Sequence, residues 1–378
     1  MSFNDPAAPA PAADGRTQLQ LLFDEATRQL GVCDACRYCE GLCAVFPALS
    51  RRAVLDASAV SQLANLCHDC RACYDACMYT APHEFDLNIP AALTAVRLED
   101  YRRYVWPARL PRLMRGWSGV FAGAIGATAV VVAIAVGNAG WPAIVAAHDT
   151  PASPYQLIPY PALLILMVAA AGFSLAVAVA AARRYWTATS EGSTRAAARS
   201  VTRALWDALT LRYLRGGGAE CYYPEDDRPS PARRHLHALV VGGFGLCVAS
   251  TASAGVLQDL LGEQPPYPWM SVPVIAGTAG GAGLLAGCAG LLALKARSSD
   301  VTSIAQMTVK DYGLLVALAF LAVSGLATLL TRGTAAFGCV LLIHLAAVVL
   351  AFASAPYSKF IHVVFRFMAL VRDSAERR

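Results

Sequence analysis

The sequence predicts a mostly α-helical chain in two parts, a small cysteine-rich domain followed by a six-helix membrane bundle. Three observations carry that prediction. Eight of the twelve cysteines fall in two runs of identical spacing, Cys33-x2-Cys36-x2-Cys39-x3-Cys43 and Cys67-x2-Cys70-x2-Cys73-x3-Cys77. Hydrophobic residues make up 56% of the 378-residue chain and charged residues only 15%, against about 25% charged in soluble domains. The charge deficit begins near residue 116, where six apolar stretches of membrane-spanning length start.

In chain order, residues 1–16 are Pro/Ala-rich without an apolar signal core and read as a disordered leader. Leu19, Leu21, Leu22, Ala26 and Leu30 fit one face of a helix that delivers the chain to the first cysteine run. Val54, Leu55, Ala59, Leu63 and Leu66 repeat the pattern between the runs. Residues 17–105 form the cysteine domain. Its apolar content is small, so metal–sulfur bonds must supply much of its stability. The remainder, 106–378, is the membrane domain. Its predicted helices span 117–136, 159–182, 236–256, 271–294, 313–330 and 335–356, each near the ~20 residues that cross a bilayer core. Abundant Gly and Ala suit close helix packing. A cytoplasmic loop, 183–234, includes an amphipathic segment at 193–214 that ends at Gly216–Gly218.

Lys and Arg set the orientation. Arg97, Arg102, Arg103, Arg109, Arg112 and Arg115 precede the first span, and the loop 183–234 is richer still. The opposite loops, 137–158 and 257–270, contain neither residue. The positive-inside rule places both termini and the cysteine domain in the cytoplasm of a multi-pass inner-membrane protein. Clustered cysteines, which favour a reducing compartment, agree. No basic patch with interleaved aromatics suggests nucleic acid.

The cysteine spacing is that of two [4Fe–4S] clusters. Three cysteines at x2 spacing wrap one corner of a cluster, and in two-cluster ferredoxins the fourth ligates the other. On that logic Cys33, Cys36, Cys39 and Cys77 hold the first, and Cys67, Cys70, Cys73 and Cys43 the second. Zinc is the alternative, but zinc motifs separate two-cysteine knuckles by a longer loop. The usual proline after the fourth cysteine is absent; Pro47 and Pro82 come four and five residues later.

Ionisable residues in membrane helices default to function, and haem iron is the natural partner for histidines from two helices. His235 and His237 point to opposite sides of one helix, so only one serves a given haem. His237 and His362 match in depth at the cytoplasmic end and are the predicted axial ligands of a b-type haem. His344 is the alternative ligand. On a straight helix it would share a face with His362, ~27 Å away.

Two family resemblances follow from these residues. His344-x17-His362, with Pro356-Tyr357-Ser358-Lys359-Phe360 before the second histidine, resembles the cytochrome b subunit of respiratory nitrate reductase. That family carries two histidines ten apart on an earlier helix. Here His237 and Cys247 stand there, which implies a single inner haem. The segments CRYCEGLCAVFPAL (36–49), CHDCRACYDACMYTAPHEF (67–85), GGGAECYYP (216–224), RRHLHALVVGGFGLCVAST (233–251) and APYSKFIHVVFR (355–366) resemble the tricarballylate-utilisation protein B, or CitB, family across nearly the whole chain. The resemblance implies a membrane partner of an FAD-dependent tricarballylate dehydrogenase, a redox subunit passing electrons through its clusters and haem to quinone. A related fused protein of cobalamin synthesis supplies the alternative, the same conduit serving precorrin oxidation. A transporter or redox sensor with a ferredoxin-like domain is the third possibility; the near absence of carboxylates within the spans and of a broken helix pair weighs against transport.

Overall fold

A computed structural model describes residues 17–107, 117–147, 153–190, 198–214, 221–223, 226–298 and 301–377. The expected leader, Arg109, Arg112, Arg115, His148 and Gly216–Gly218 lie outside the described residues. The chain is mostly α-helical, with a small N-terminal domain and six helices long and apolar enough to cross a membrane.

In the small domain, α1 (Gln18–Cys36) begins at a capping box. Gln20 N–H donates to Thr17 Oγ1 at 3.2 Å, and Thr17 N–H donates to Gln20 Oε1 at 2.7 Å. The helix runs through the first two cysteines and ends at Arg37, whose φ of 57° closes it. After α2 (Val45–Leu49), α3 (Ala57–Leu66) starts later than the apolar pattern suggests. Asp56 accepts from Ala59 N–H at 2.7 Å and fixes the start there. A short α4 (Ala72–Asp75) lies inside the second run. Then α5 (Ile89–Tyr104), capped by Asn88 with Pro90 in its first turn, closes the domain.

The membrane part comprises α6 (Trp117–Ala139), the short α7 (Trp141–Ile144) and α8 (Ser153–Leu157), α9 (Tyr160–Thr189), the amphipathic α10 (Ala198–Leu209), a hairpin of β1 (Cys221–Tyr223) and β2 (Asp226–Ser230), α11 (Ala232–Leu261), α12 (Val272–Ala296), α13 (Ala305–Leu330) and α14 (Phe337–Ser354). In the bundle α12 packs between α11 and α13, and α14 packs against α13, α6 and α9. The pairing of α11 with α12 is backbone to backbone. A Cβ on Gly243 would sit 2.5 Å from the Leu284 nitrogen, and one on Gly280 would sit 2.8 Å from the Gly243 oxygen.

The short α7 and α8, the hairpin and the last helix were not foreseen, and the last bears on the site. After α14 the chain makes two 3₁₀ turns, Ala355–Tyr357 and Lys359–Ile361, and starts a new helix, α15 (His362–Glu376). His344 and His362 therefore do not lie on one straight helix, and the shared-face argument falls. α15 leaves the bundle and enters the cysteine domain. Its Ala369, Leu370 and Val371 are buried with Leu30, Phe46, Leu63, Leu66 and Leu93 in a single apolar core. Phe365 forms the seam below, stacked on Tyr101 at 5.2 Å and edge-on to Tyr185 of α9 at 5.1 Å. This packing explains why α9 runs past its expected end at Ala182 to Thr189: Tyr185 and Thr189 are buried against the small domain.

Candidate cysteine and histidine centres

The cysteines surround two adjoining cavities. Cys33, Cys36, Cys39 and Cys77 line one, enclosing about 510 Å³ that includes open solvent; Cys43, Cys67 and Cys70 line the other, of about 360 Å³ by the same measure. Cys73, with Phe46 and Ile89, forms a wall common to both. The loops that carry the cysteines bend through left-handed backbone at non-glycine residues: Arg37 between Cys36 and Cys39 (φ 57°), then Asp69 (54°) and Arg71 (66°) flanking Cys70. Such conformations cost energy and persist where the surroundings hold them.

The electrostatics say what these cavities can hold. Burial pushes the Cys33 thiol up to about 12, with repulsion from Cys39, Cys77 and Cys36 adding to it. Burial also raises Cys39, to about 11, with Cys77 and Cys36 adding. Burial raises Cys43, where Cys70 and Cys67 add, and Cys73, where Cys70, Cys67, Cys43 and Cys39 add. Alone, such groups would stay protonated and inert; as thiolates they require a cationic partner within the cavity. Backbone N–H groups already point at sulfur, Asp69 N–H at Cys67 Sγ (3.4 Å) and Tyr79 N–H at Cys77 Sγ (3.3 Å). Among the described residues no three His, Cys, Asp or Glu side chains close on a single metal ion. The donor set, cysteine thiols only and in two adjoining groups at x2 and x3 spacing, fits iron–sulfur clusters better than zinc.

His362 and His237 each lie one helical turn from an arginine, Arg366 or Arg233, that bonds the Leu66–Asp69 loop of the second cavity. His362 opens α15, and its Nδ1–H donates to the Lys359 carbonyl at 2.6 Å, since a carbonyl can only accept. That bond fixes the tautomer and leaves Nε2 as a lone pair, the arrangement of a metal-ligating histidine. Burial pushes His362 down to about 3, with the Lys359 and His237 charges adding, so the ring is neutral. His237, in the second turn of α11, is thus an electrostatic neighbour of His362, and its buried Nδ1 makes no hydrogen bond. Lys359 itself is held by Asp311, which also takes Lys295 Nζ at 2.7 Å. The Tyr357–Lys359 turns therefore position His362 from behind.

His344 sits elsewhere. Ser324 Oγ donates to the Leu321 carbonyl, which leaves it to accept from His344 Nδ1–H at 2.9 Å. The ring rests on Gly325, where a Cβ would come within 3.0 Å of Cε1. His344 is tied to α13, ten residues or ~15 Å along α14 from its Ser354 end. His235 is exposed beside Arg234.

Sequence reasoning missed the arginines. Arg366 donates to the Leu66 carbonyl (3.0 Å) and His68 Nδ1 (3.1 Å). Arg233 donates to the carbonyls of His68 (3.1 Å) and Asp69. Arg97 reaches the Cys67 carbonyl and Thr94 Oγ1 (2.7 Å). Three elements thus grip the loop Leu66–Asp69. The available signal was an Arg one helical turn after His362 and another just before His237.

Residues 120–378 match the family described as "Citrate utilization protein B", and residues 26–103 match "Citrate utilization protein B Fer4-like domain". A curated protein of Escherichia coli named "Citrate utilization protein B" is 36% identical over 356 residues, 94% of this chain and 92% of that one. No solved structure matches.

Proposed function

The chain belongs to the citrate utilization protein B family, and from that premise we propose that it is a membrane-bound electron-transfer protein. It reoxidises a cytoplasmic FAD-dependent tricarballylate dehydrogenase and delivers the electrons to membrane quinone. Per turnover the partner's reduced flavin gives up two electrons and two protons, and the quinone takes up two of each. Two [4Fe–4S] clusters and one b-type haem, when bound, supply carriers that accept one electron at a time.

The residues divide the work. Cys33, Cys36, Cys39 and Cys77 would hold one cluster, and Cys43, Cys67, Cys70 and Cys73 the other, with Cys73 in the wall between them. His237 and His362 would hold the haem iron, and Lys359 orients His362 through its carbonyl. The dehydrogenase meets the solvent side of the first cavity, where Tyr38 and Met78 are exposed. The bilayer surrounds the six long helices, with both termini on the cytoplasmic side, as the Lys and Arg distribution supports.

The observation that carries the reading is two adjoining thiol-lined cavities, with the half-buried His237 and His362 each one helical turn from an arginine that bonds the Leu66–Asp69 loop of the second. A reduced-minus-oxidised optical spectrum of the purified protein tests it. The expected result is b-type haem bands with broad iron–sulfur bleaching, and quinone-dependent reoxidation. A spectrum with neither haem nor iron–sulfur absorbance would end the reading in favour of a non-redox membrane protein.

A further inference from the structure

The two cavities differ in what surrounds them. The first opens to solvent, with Cys36 exposed and Tyr38 and Met78 at 69% and 67% exposure on its rim. Its nearby charges are balanced or acidic: Arg37 pairs with Asp34 at 3.5 Å, and Glu40 and Asp75 lie on the same loops. The second holds the most buried of the eight cysteines, Cys70, only 8% exposed. Around it stand Arg97 of α5, Arg233 at the start of α11 and Arg366 of α15, all bonded to the loop that bears Cys67 and Cys70. The nearby anions are Asp69 and Asp311, and Asp311 is already held by Lys295 and Lys359.

Resting on the two-cluster reading above, we infer that Arg97, Arg233 and Arg366 hold the second cluster's reduction potential above the first's and so make the buried centre the exit of the relay. A four-thiolate cluster gains one negative charge on reduction. Burial by itself disfavours that charge and lowers the potential, whereas fixed cations in a poorly screened site favour it and raise the potential. Guanidinium keeps its charge at any working pH. The transfer is of a single electron from one centre of the chain to the next. No bond is made and no proton is taken up, and the electron comes originally from the partner's reduced flavin. The arginines act as positioning residues: they touch the loop, not the electron's donor or final acceptor.

The test is an EPR-monitored redox titration of the full-length protein in detergent, with Cys77→Ser used to identify the first cluster's signal. The second signal is expected to titrate at the higher potential. Arg366→Gln should shift the second signal to lower potential at unchanged iron content and leave the first unmoved, and Arg366→Lys should restore most of the shift. If Arg366→Gln does not retain iron, Arg233→Gln is read the same way, because its guanidinium grips the loop from the bundle side. A second signal at or below the first in the wild type would overturn the inference. So would an iron-replete glutamine variant whose potentials do not move. Complete absence of both signals from the wild type would instead remove the two-cluster reading on which it rests.

Discussion

His362 has its Nδ1–H fixed on the Lys359 carbonyl, which leaves Nε2 as the lone-pair nitrogen. Replacing it with Ala should abolish the haem absorbance while leaving iron–sulfur absorbance intact. Haem content that survives would move the ligand to His344 or His235. Cys77 lines only the first cavity. Cys77→Ser should therefore damage the cluster of Cys33, Cys36 and Cys39, and EPR showing loss of the other one alone would refute crossed ligation. Asp100 makes a third residue-scale case. Its buried Oδ2 accepts from Ser61 Oγ and Asn65 Nδ2, both at 2.7 Å. Burial nevertheless pushes the carboxyl up to about 7. The folded state then holds this proton at pH values where the unfolded chain has released it. The group's contribution to stability is thus highest below about pH 4 and falls as pH rises towards 7, remaining low above. Asp100→Asn keeps an acceptor and removes the charge. Thermal unfolding in detergent should show a higher Tm than wild type at pH 8, with the gap narrowing by pH 5.

At the scale of elements, the seam around Phe365 joins the small domain to the bundle. Phe365 is fully buried among Tyr101, Tyr104 and Tyr185. Phe365→Ala should cost about 3–5 kcal/mol, the range for emptying a packed aromatic site. Limited proteolysis should then release the cysteine domain while the six long helices stay protected. The α11–α12 contact is as strict in another way. Gly243→Val would drive a side chain into the Leu284 backbone, separating the two helices and displacing His237, six residues earlier on α11. Loss of haem from an otherwise membrane-inserted variant is the expected readout.

Over the whole molecule, what could be read from the sequence was what is written in composition and short spacing. Helical class and six long apolar helices follow from 20-residue apolar stretches, and the cysteine groups follow from x2 and x3 repeats. What escaped was set by tertiary contact. Pro356 marks the end of α14 in the sequence, but not the new helix that follows once Tyr357 and Ile361 are buried against the small domain. α15 drew no reading from the sequence, and its Ala369–Val371 are in the cysteine domain's core. Arg97, Arg233 and Arg366 look like any inner-surface arginines, because sequence reports charge but not the carbonyls a charge will find. His344 was an open alternative because periodicity gives direction on one helix, not the serine and glycine facing it on the next.

The entry of α15 into the cysteine domain also governs how the protein must be made. Arg51 bonds Asp373 across 322 residues of chain, and Arg52 bonds Glu376 across 324. Domains ordinarily fold in the order they leave the ribosome, yet this one, first to emerge, lacks part of its core until the last helix has been synthesised and every span before it has been threaded. On the two-cluster proposal, iron loading is expected to follow completion of the chain. Pulse-labelled chains stopped at residue 361 should reach the membrane yet take up no iron, while full-length chains acquire it only after release.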